Sequence, residues 1–233
     1  MRLPPLIKGT LLRRYKRFLA DVRLEDGRVV TAHVPNTGSM RSTSAPGSLV
    51  GLSIHDSEKR KYRYTLEIIS GEGGTMVGVN TMHPNRIVEE GIRNGVIPEL
   101  TGYNEIRREV PYGEASRIDL LLTRPTGDAC YVEIKNVTYK EGRIALFPDA
   151  ETVRGTKHLN ELVRMVDAGH RAVIFFLVNR GDCEMMGPAR DIDPVYADTL
   201  AAAASSGVTL LAYRTRVDFS EITIERKVDI ALL

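Results

Sequence analysis

The chain runs to 233 residues, 42% hydrophobic and 27% charged, with a formal net charge of +2. These totals exclude collagen, a coiled-coil array and wholesale disorder, and they fit one large domain or two small ones. The longest aliphatic and aromatic run, AVIFFLV at 172–178, falls far below the roughly 20 residues that cross a bilayer. MRLPPLIKG has no apolar stretch of signal-peptide length. Cys130 and Cys183 lack CxxC spacing, so a cytoplasmic chain with two reduced thiols is expected.

The small net charge hides an asymmetry. Residues 1–64 carry thirteen Lys and Arg against five Asp and Glu, a balance of +8, which leaves −6 on the remainder. A basic first third points to a polyanion partner. In chain order, TLLRRYKRFLADVRL, the EDG turn and RVVTAHV predict a hairpin. LVGLSI, RYTLEIIS and MVGVN follow, with GEGG read as a turn. Five short strands in about 80 residues predict a small OB-like β-barrel over 1–84. Within it, RRYKRF and KRKYRY interleave cations with aromatics. Arg13, Arg14, Lys16, Arg17, Lys59, Arg60, Lys61 and Arg63 are candidates for phosphate neutralisation, and Tyr15, Tyr62 and Tyr64 for base stacking. A solvated strand edge is the plainer alternative, and Phe18 is assigned to the core. The loop PNTGSMRSTS at 35–44 offers hydroxyls and backbone N–H groups suited to phosphate, or it is a plain barrel connection.

The texture changes at His83-Pro84-Asn85. Asn85 reads as an N-cap, and Ile87, Val88, Gly91 and Ile92 give helical spacing up to Gly95. YNEIRREV, ASRIDLLL and ACYVEIK read as three strands joined by turns. A helix is predicted over 156–168 with Gly169 just past its end. RAVIFFLV reads as a fully buried strand, residues 194–205 as a helix entered through Asp193-Pro194, and VTLLAY at 208–213 as the last strand. The order α-β-β-β-α-β-α-β makes 85–233 a mixed α/β domain.

YVEIKN, at 131–136, places Glu133 and Lys135 on one face of their strand. A hairpin folded about Thr126 sets Asp119 opposite Glu133. Like charges directly opposed destabilise a sheet, and a divalent cation between them is one reason to keep them. Asp119 and Glu133, with the Ile134 carbonyl, offer oxygen ligands to Mg²⁺ or Mn²⁺. Such an ion lowers the pKa of a bound water, and Lys135 is placed to stabilise phosphoryl charge. The plainer reading is a solvated sheet face with an ion pair worth ~0–1 kcal/mol.

Asp119 and Glu133-x-Lys135, set between two helices, resemble the core of PD-(D/E)XK nucleases, with Ile118 where the usual proline stands. A wider set of stretches, LLRRYKRFLADV, PNTGSM, YTLE, VNT, IRREVPYG, SRID, YVEIKNVT, FPDA and RGTKHLNEL, resembles the sugar fermentation stimulation protein A family from about residue 3 onward. The resemblance implies an α/β (α+β) chain: an OB-like barrel, then a PD-(D/E)XK nuclease-like mixed sheet flanked by helices. It further implies DNA binding without strong sequence preference and a regulatory role in sugar metabolism. Two functions are carried forward. One is a Mg²⁺- or Mn²⁺-dependent phosphodiesterase acting on DNA, with Asp119, Glu133 and Lys135 catalytic. The other is a non-catalytic DNA-binding regulator.

Other residues stay open. Glu90, on the helix before the three strands, is a candidate fourth metal ligand beside Asp119, Glu133 and Ile134, or a solvated acid. Glu105, Glu109 and Asp149 have the same ambiguity. Arg154, Lys157 and His158 open the predicted second helix, either as a cationic edge facing the scissile phosphate or as a solvated first turn. The five histidines lack zinc-site spacing. GEGGTMVG lacks the order of a nucleotide loop, and no P-loop or G-x-S-x-G elbow occurs.

Overall fold

A computed structural model describes residues 1–56, 61–113 and 116–232. Its first unit is a barrel of β1 (Ile7–Tyr15), β2 (Leu19–Leu24), β3 (Val29–His33), β4 (Leu49–Ile54) and β5 (Tyr64–Ser70). The strands run in the order β3-β2-β1-β4-β5. Parallel pairing of Ala32 with Tyr64 and His33 with Thr65 closes the ring, which removes the exposed edges an open sheet of this size would present. Alternation drives the closure: Ala20, Val22, Leu24, Leu52 and Leu66 all point into one core. A short β6 (Met76–Gly78) extends β5. The β1–β2 connection spans residues 16–18, with Lys16 and Arg17 at positive φ. Phe18 therefore stands on a turn, 41% exposed, and not in the core where its apolar character placed it.

The second unit is built on a six-stranded sheet. Its elements are α1 (Pro84–Arg93), β7 (Glu105–Tyr112), β8 (Ser116–Thr123), β9 (Ala129–Val137), β10 (Tyr139–Glu141), β11 (Ile144–Phe147), α2 (Val153–Asp167), β12 (Arg171–Val178), β13 (Met185–Pro188), α3 (Pro194–Ser205), β14 (Thr209–Val217), β15 (Ile222–Lys227) and β16 (Asp229–Ile230). The main sheet runs β15-β14-β12-β9-β8-β7. Its centre is parallel and its flanks are antiparallel. Ile87, Val88 and Ile92 of α1 pack on one face with Leu120, Val132 and Phe175. Leu159, Leu162, Tyr196 and Leu200, from α2 and α3, cover the other with Leu121, Ile174 and Phe176. Helices on both faces explain why β12 is apolar and buried from Ala172 to Val178. A smaller sheet, β10-β11-β13-β16, flanks this core.

The two units are joined by more than the linker before α1. Met1 and Leu3 pack into the core under α1, and Leu3 N–H donates to the Ser220 carbonyl at 2.8 Å. Fully buried Arg180 donates to the Thr138 carbonyl and to Ser42 Oγ on the barrel side, and pairs with Asp182. Among the described residues no helix is long and apolar enough to cross a membrane. Both cysteines are buried and free.

Candidate active site

The β8–β9 hairpin has the expected register, from Thr123 opposite Ala129 to Leu120 opposite Val132. The paired register ends there. At the next position the Asp119 carboxylate takes the place of a backbone acceptor, and Oδ2 receives the Ile134 N–H at 2.7 Å. On the other side of β8, Arg108 pairs with Leu120 and Val110 with Ile118, so Glu109 falls opposite Asp119. Glu109 has φ +53°, a left-handed conformation that is strained for a non-glycine residue inside a strand. Asn85, from α1, bridges the two acids: Nδ2 donates to Glu109 Oε1 at 2.8 Å and to Asp119 Oδ1 at 3.0 Å. Asn85 is thus not the N-cap. His83 occupies that position and the helix begins at Pro84, which leaves the amide free to serve the sheet.

Glu133 is 3% exposed. Its Oε1 accepts from Lys135 Nζ at 2.7 Å and meets His158 Nδ1, while Oε2 is buried without a partner among the described residues. Arg154 Nε donates to His158 Nε2 at 3.3 Å, so that nitrogen is an acceptor and Nδ1 carries the proton toward Glu133. Burial alone would raise the Glu133 carboxyl; Lys135 and His158 outweigh it and hold Glu133 below its ordinary value. Asp119 goes the other way. Burial and the neighbouring Glu133 charge push it up to about 6, against a smaller lowering by its hydrogen bonds from Ile134 and Asn85.

Asp119, Ile134 and Lys135 line a cleft of about 440 Å³ that lies between the two units. Glu109 and Asp149 line it too, and the barrel loop contributes Asn36, Thr37 and Gly38 to the facing wall. That loop is fixed from both sides. The Arg14 guanidinium donates to the carbonyls of Arg17, Asn36, Gly38 and Ser39. Asp149 accepts the Met40 N–H at 2.9 Å, and its carbonyl accepts Ser39 Oγ at 2.7 Å. A Cβ on Gly38 would sit 2.7 Å from both Asp149 carboxylate oxygens, so the loop passes Asp149 only as glycine.

Several sequence expectations change with this geometry. Glu90 does not join the cleft; the Met1 ammonium holds it at 2.8 Å. His158 is buried against Glu133, exposed Arg154 donates to it, and Lys157 lies 3.7 Å from Glu161; α2 does not present this trio to the cleft. Helical spacing places Arg154 and His158 one turn apart, so the exposed guanidinium reaches the buried imidazole. Arg14 staples a loop, because both terminal nitrogens of its guanidinium donate to loop carbonyls and its Nε is buried. Arg13 pairs with Asp21, and Arg63 with Asp56. Lys16, Arg17 and Lys61 are exposed; Lys59 and Arg60 lie outside the described residues. Glu105 is at the sheet edge against Thr123 and Arg107. The residue of the cleft missed by sequence reading is Asn85, taken for a cap; Glu109 and Asp149, left open between ligand and solvated acid, both line the cleft.

Among the described residues, no three His, Cys, Asp or Glu side chains stand together as a metal cage. The donor set fits a hard cation nonetheless. Mg²⁺ is ordinarily held by one or two carboxylates and completes its shell with water and phosphate oxygens. Asp119 is raised by burial and a like charge, and Glu133 Oε2 is a buried oxygen without a partner among the described residues. Both features are relieved by positive charge.

Two family models match the chain: the SfsA N-terminal OB domain over residues 12–79 and the Sugar fermentation stimulation protein RE domain over 82–221. A sugar fermentation stimulation protein homolog of Pelobacter propionicus is 56% identical over 232 residues, covering 100% of both chains. The Geobacter sulfurreducens homolog is 54% identical over 226 residues, covering 97% of this chain and 96% of the relative. The solved structure of Pyrococcus furiosus SfsA in complex with Ca²⁺ superposes with a TM-score of 0.89 at 29% identity, covering 99% of this chain and 98% of that one. Barrel, mixed sheet and full-length likeness agree: the chain belongs to the sugar fermentation stimulation protein (SfsA) family.

Proposed function

We propose that this protein binds DNA and hydrolyses its phosphodiester bonds at Asp119, Glu133 and Lys135 with the help of Mg²⁺ or Mn²⁺. The observation that carries the reading is the end of the β8–β9 ladder. There the Asp119 carboxylate, the Ile134 backbone and the Lys135 ammonium meet in one cleft, with Glu133 directly behind. Asp119, Glu133 Oε2 and the Ile134 carbonyl would hold the ion, and the Pyrococcus furiosus relative was solved with Ca²⁺. When bound, the ion supplies a lowered water pKa and neutralises phosphate charge. Asn85 orients Asp119 toward the cleft. Arg154 and His158 fix the Glu133 carboxylate. Lys135, freed from Glu133 Oε1, stabilises charge on the non-bridging phosphate oxygens. The stapled loop at 36–38 faces this site with Thr37 and backbone N–H groups, a setting for the strand's phosphates. Lys16 and Arg17 add exposed cations on the barrel. A cytoplasmic location agrees with the free thiols.

A second reading, a non-catalytic DNA-binding regulator of sugar metabolism, draws support from one observation. Glu133 Oε1 is already engaged by Lys135 and His158, and Glu133 does not line the cleft. Incubation of wild type and Lys135→Ala with single- and double-stranded DNA plus Mn²⁺ separates the two. The enzyme reading expects cleavage by wild type and a loss of about 10²-fold or more in the variant. Intact DNA in every lane, with retained binding, leaves the regulator. Equal cleavage by both proteins overturns the role of Lys135.

A further inference from the structure

Beside the cleft, the barrel carries a second cavity that the reaction leaves unused. It measures about 530 Å³ and opens between the ends of β3 and β5 and the segment 80–83, within the span of about 300–1,000 Å³ common to small-ligand sites. Strand alternation builds it. Leu66 points into the barrel core, so Thr65 and Glu67 point out. Glu67, 3% exposed, is held by Ser53 Oγ at 2.5 Å, Asn80 Nδ2 at 2.7 Å and His83 Nε2 at 2.7 Å. Burial would raise this carboxyl, but those partners outweigh it and hold it below its ordinary value, so the floor is anionic at neutral pH.

Thr65 is the feature without an internal account. It is 4% exposed, it lines the cavity, and its Oγ1 has no hydrogen-bond partner among the described residues. Buried hydroxyls are nearly always paired, and one left alone destabilises the fold. Around it stand the His33 and His55 imidazoles and the Tyr62 ring, with Lys61 Nζ 5.7 Å from that ring's centroid. Met82, 77% exposed, lines both this cavity and the Asp119 cleft, so the two open on either side of one side chain.

We propose that this cavity is a nucleobase subsite, into which one unpaired base of the DNA strand lying in the Asp119 cleft turns over Met82. Its polar edge bonds Thr65 Oγ1 and its face lies against Tyr62. The anionic floor repels phosphate, so the backbone stays at the rim, where Lys61 stands. A neutral ring carrying both donors and acceptors satisfies the hydroxyl and imidazoles, and an aromatic wall takes any base. The inference rests on the DNA reading above and adds that the strand is unpaired beside the site.

The test uses the full chain and labelled oligonucleotides in three forms: single-stranded, single-stranded with one abasic site moved stepwise, and fully paired. Thr65→Val keeps the shape and removes the hydroxyl; Tyr62→Ala removes the wall; Thr65→Ser restores the hydroxyl. Thr65→Val and Tyr62→Ala should each weaken single-strand binding by about 5- to 100-fold and leave duplex binding unchanged, with Thr65→Ser close to wild type. One abasic position should reproduce or exceed the loss in wild type and cost less in Thr65→Val, where only the Tyr62 contact remains to be lost. The Thr65→Val melting temperature without DNA should equal or exceed wild type, which separates lost binding from lost folding. Unchanged single-strand affinity in both variants, or an equal loss on duplex, overturns the subsite while the DNA reading stands. Failure of the wild type to bind any of the three overturns that reading and the subsite with it.

Discussion

Asp119 and Glu133 occupy neighbouring positions in one sheet, and they are tuned in opposite directions. Lys135 and His158 stabilise the Glu133 charge, while burial and that same charge raise Asp119 to about 6. Divalent cation binding at Asp119 must displace the proton. Apparent Mn²⁺ affinity, followed by calorimetric titration, should be level above about pH 7 and fall about tenfold per pH unit below about 6. A carboxyl at the ordinary value of 3.8 would give a flat profile across that window. Asp119→Asn should abolish both the binding and the cleavage while the chain stays folded. At this scale the sequence told much: the counted hairpin register holds from Thr123 to Leu120, and Asp119, the next residue, meets the Ile134 N–H beside Glu133. It failed where the local pattern has a commoner use. Asn85 before a helical run reads as a cap, and His158 in a first turn reads as phosphate-facing or solvated, because neither residue type reports the long-range partner that claims it.

Among the elements, the long periodic ones were legible. β12 and α3 have the bounds that hydrophobic run length and the Asp193-Pro194 entry predict. The predicted second helix instead starts earlier, at Val153, because Thr152 caps it through the Gly155 N–H. Six-residue β15 escaped notice, so VTLLAY is not the last strand, and so did β10, β11, β13 and β16, of two to four residues. Strands so short carry too few alternations to register against turns, and their pairing is decided by the sheet they join. The loop at 35–44 was open between phosphate grip and plain connection, and its anchors lie far away in sequence, at Asp149 and Thr138. Gly38→Ala tests that anchoring. The added methyl meets the Asp149 carboxylate, so the Met40 and Ser39 bonds must lengthen. We expect a loss of about 1–3 kcal/mol in denaturant unfolding and weaker DNA binding, with the cation affinity at Asp119 unchanged. A fall in cation affinity as large as the fall in DNA affinity would mean that the loop shapes the metal ligands as well.

For the whole molecule, the basic first third was legible as a polyanion face, yet much of its charge is spent internally, on Asp21, Asp56 and loop carbonyls. The joint between the units is also ionic. Asp182 is paired with Arg180 and Lys140; burial opposes its ionisation, but those cations hold it at about 2, below its ordinary 3.8. A depressed carboxyl contributes stability that is fully present above about pH 4 and is lost as pH falls toward 2. Asp182→Asn should therefore cost about 1–2 kcal/mol at neutral pH, after allowance for its partial exposure, and flatten the acid limb of an unfolding titration between about pH 4 and 2. An unchanged acid limb would remove Asp182 from the joint. Residues 1–3 bear on how the cleft works. With Met1 and Leu3 seated beneath α1, the barrel begins and ends in the other unit, as a loop of folded chain inserted into it. Two tethers cross the junction, so rotation about a single linker is blocked. On the proposed function, a strand would then enter along the open side of the cleft, past Met82, and not through a jaw-like opening.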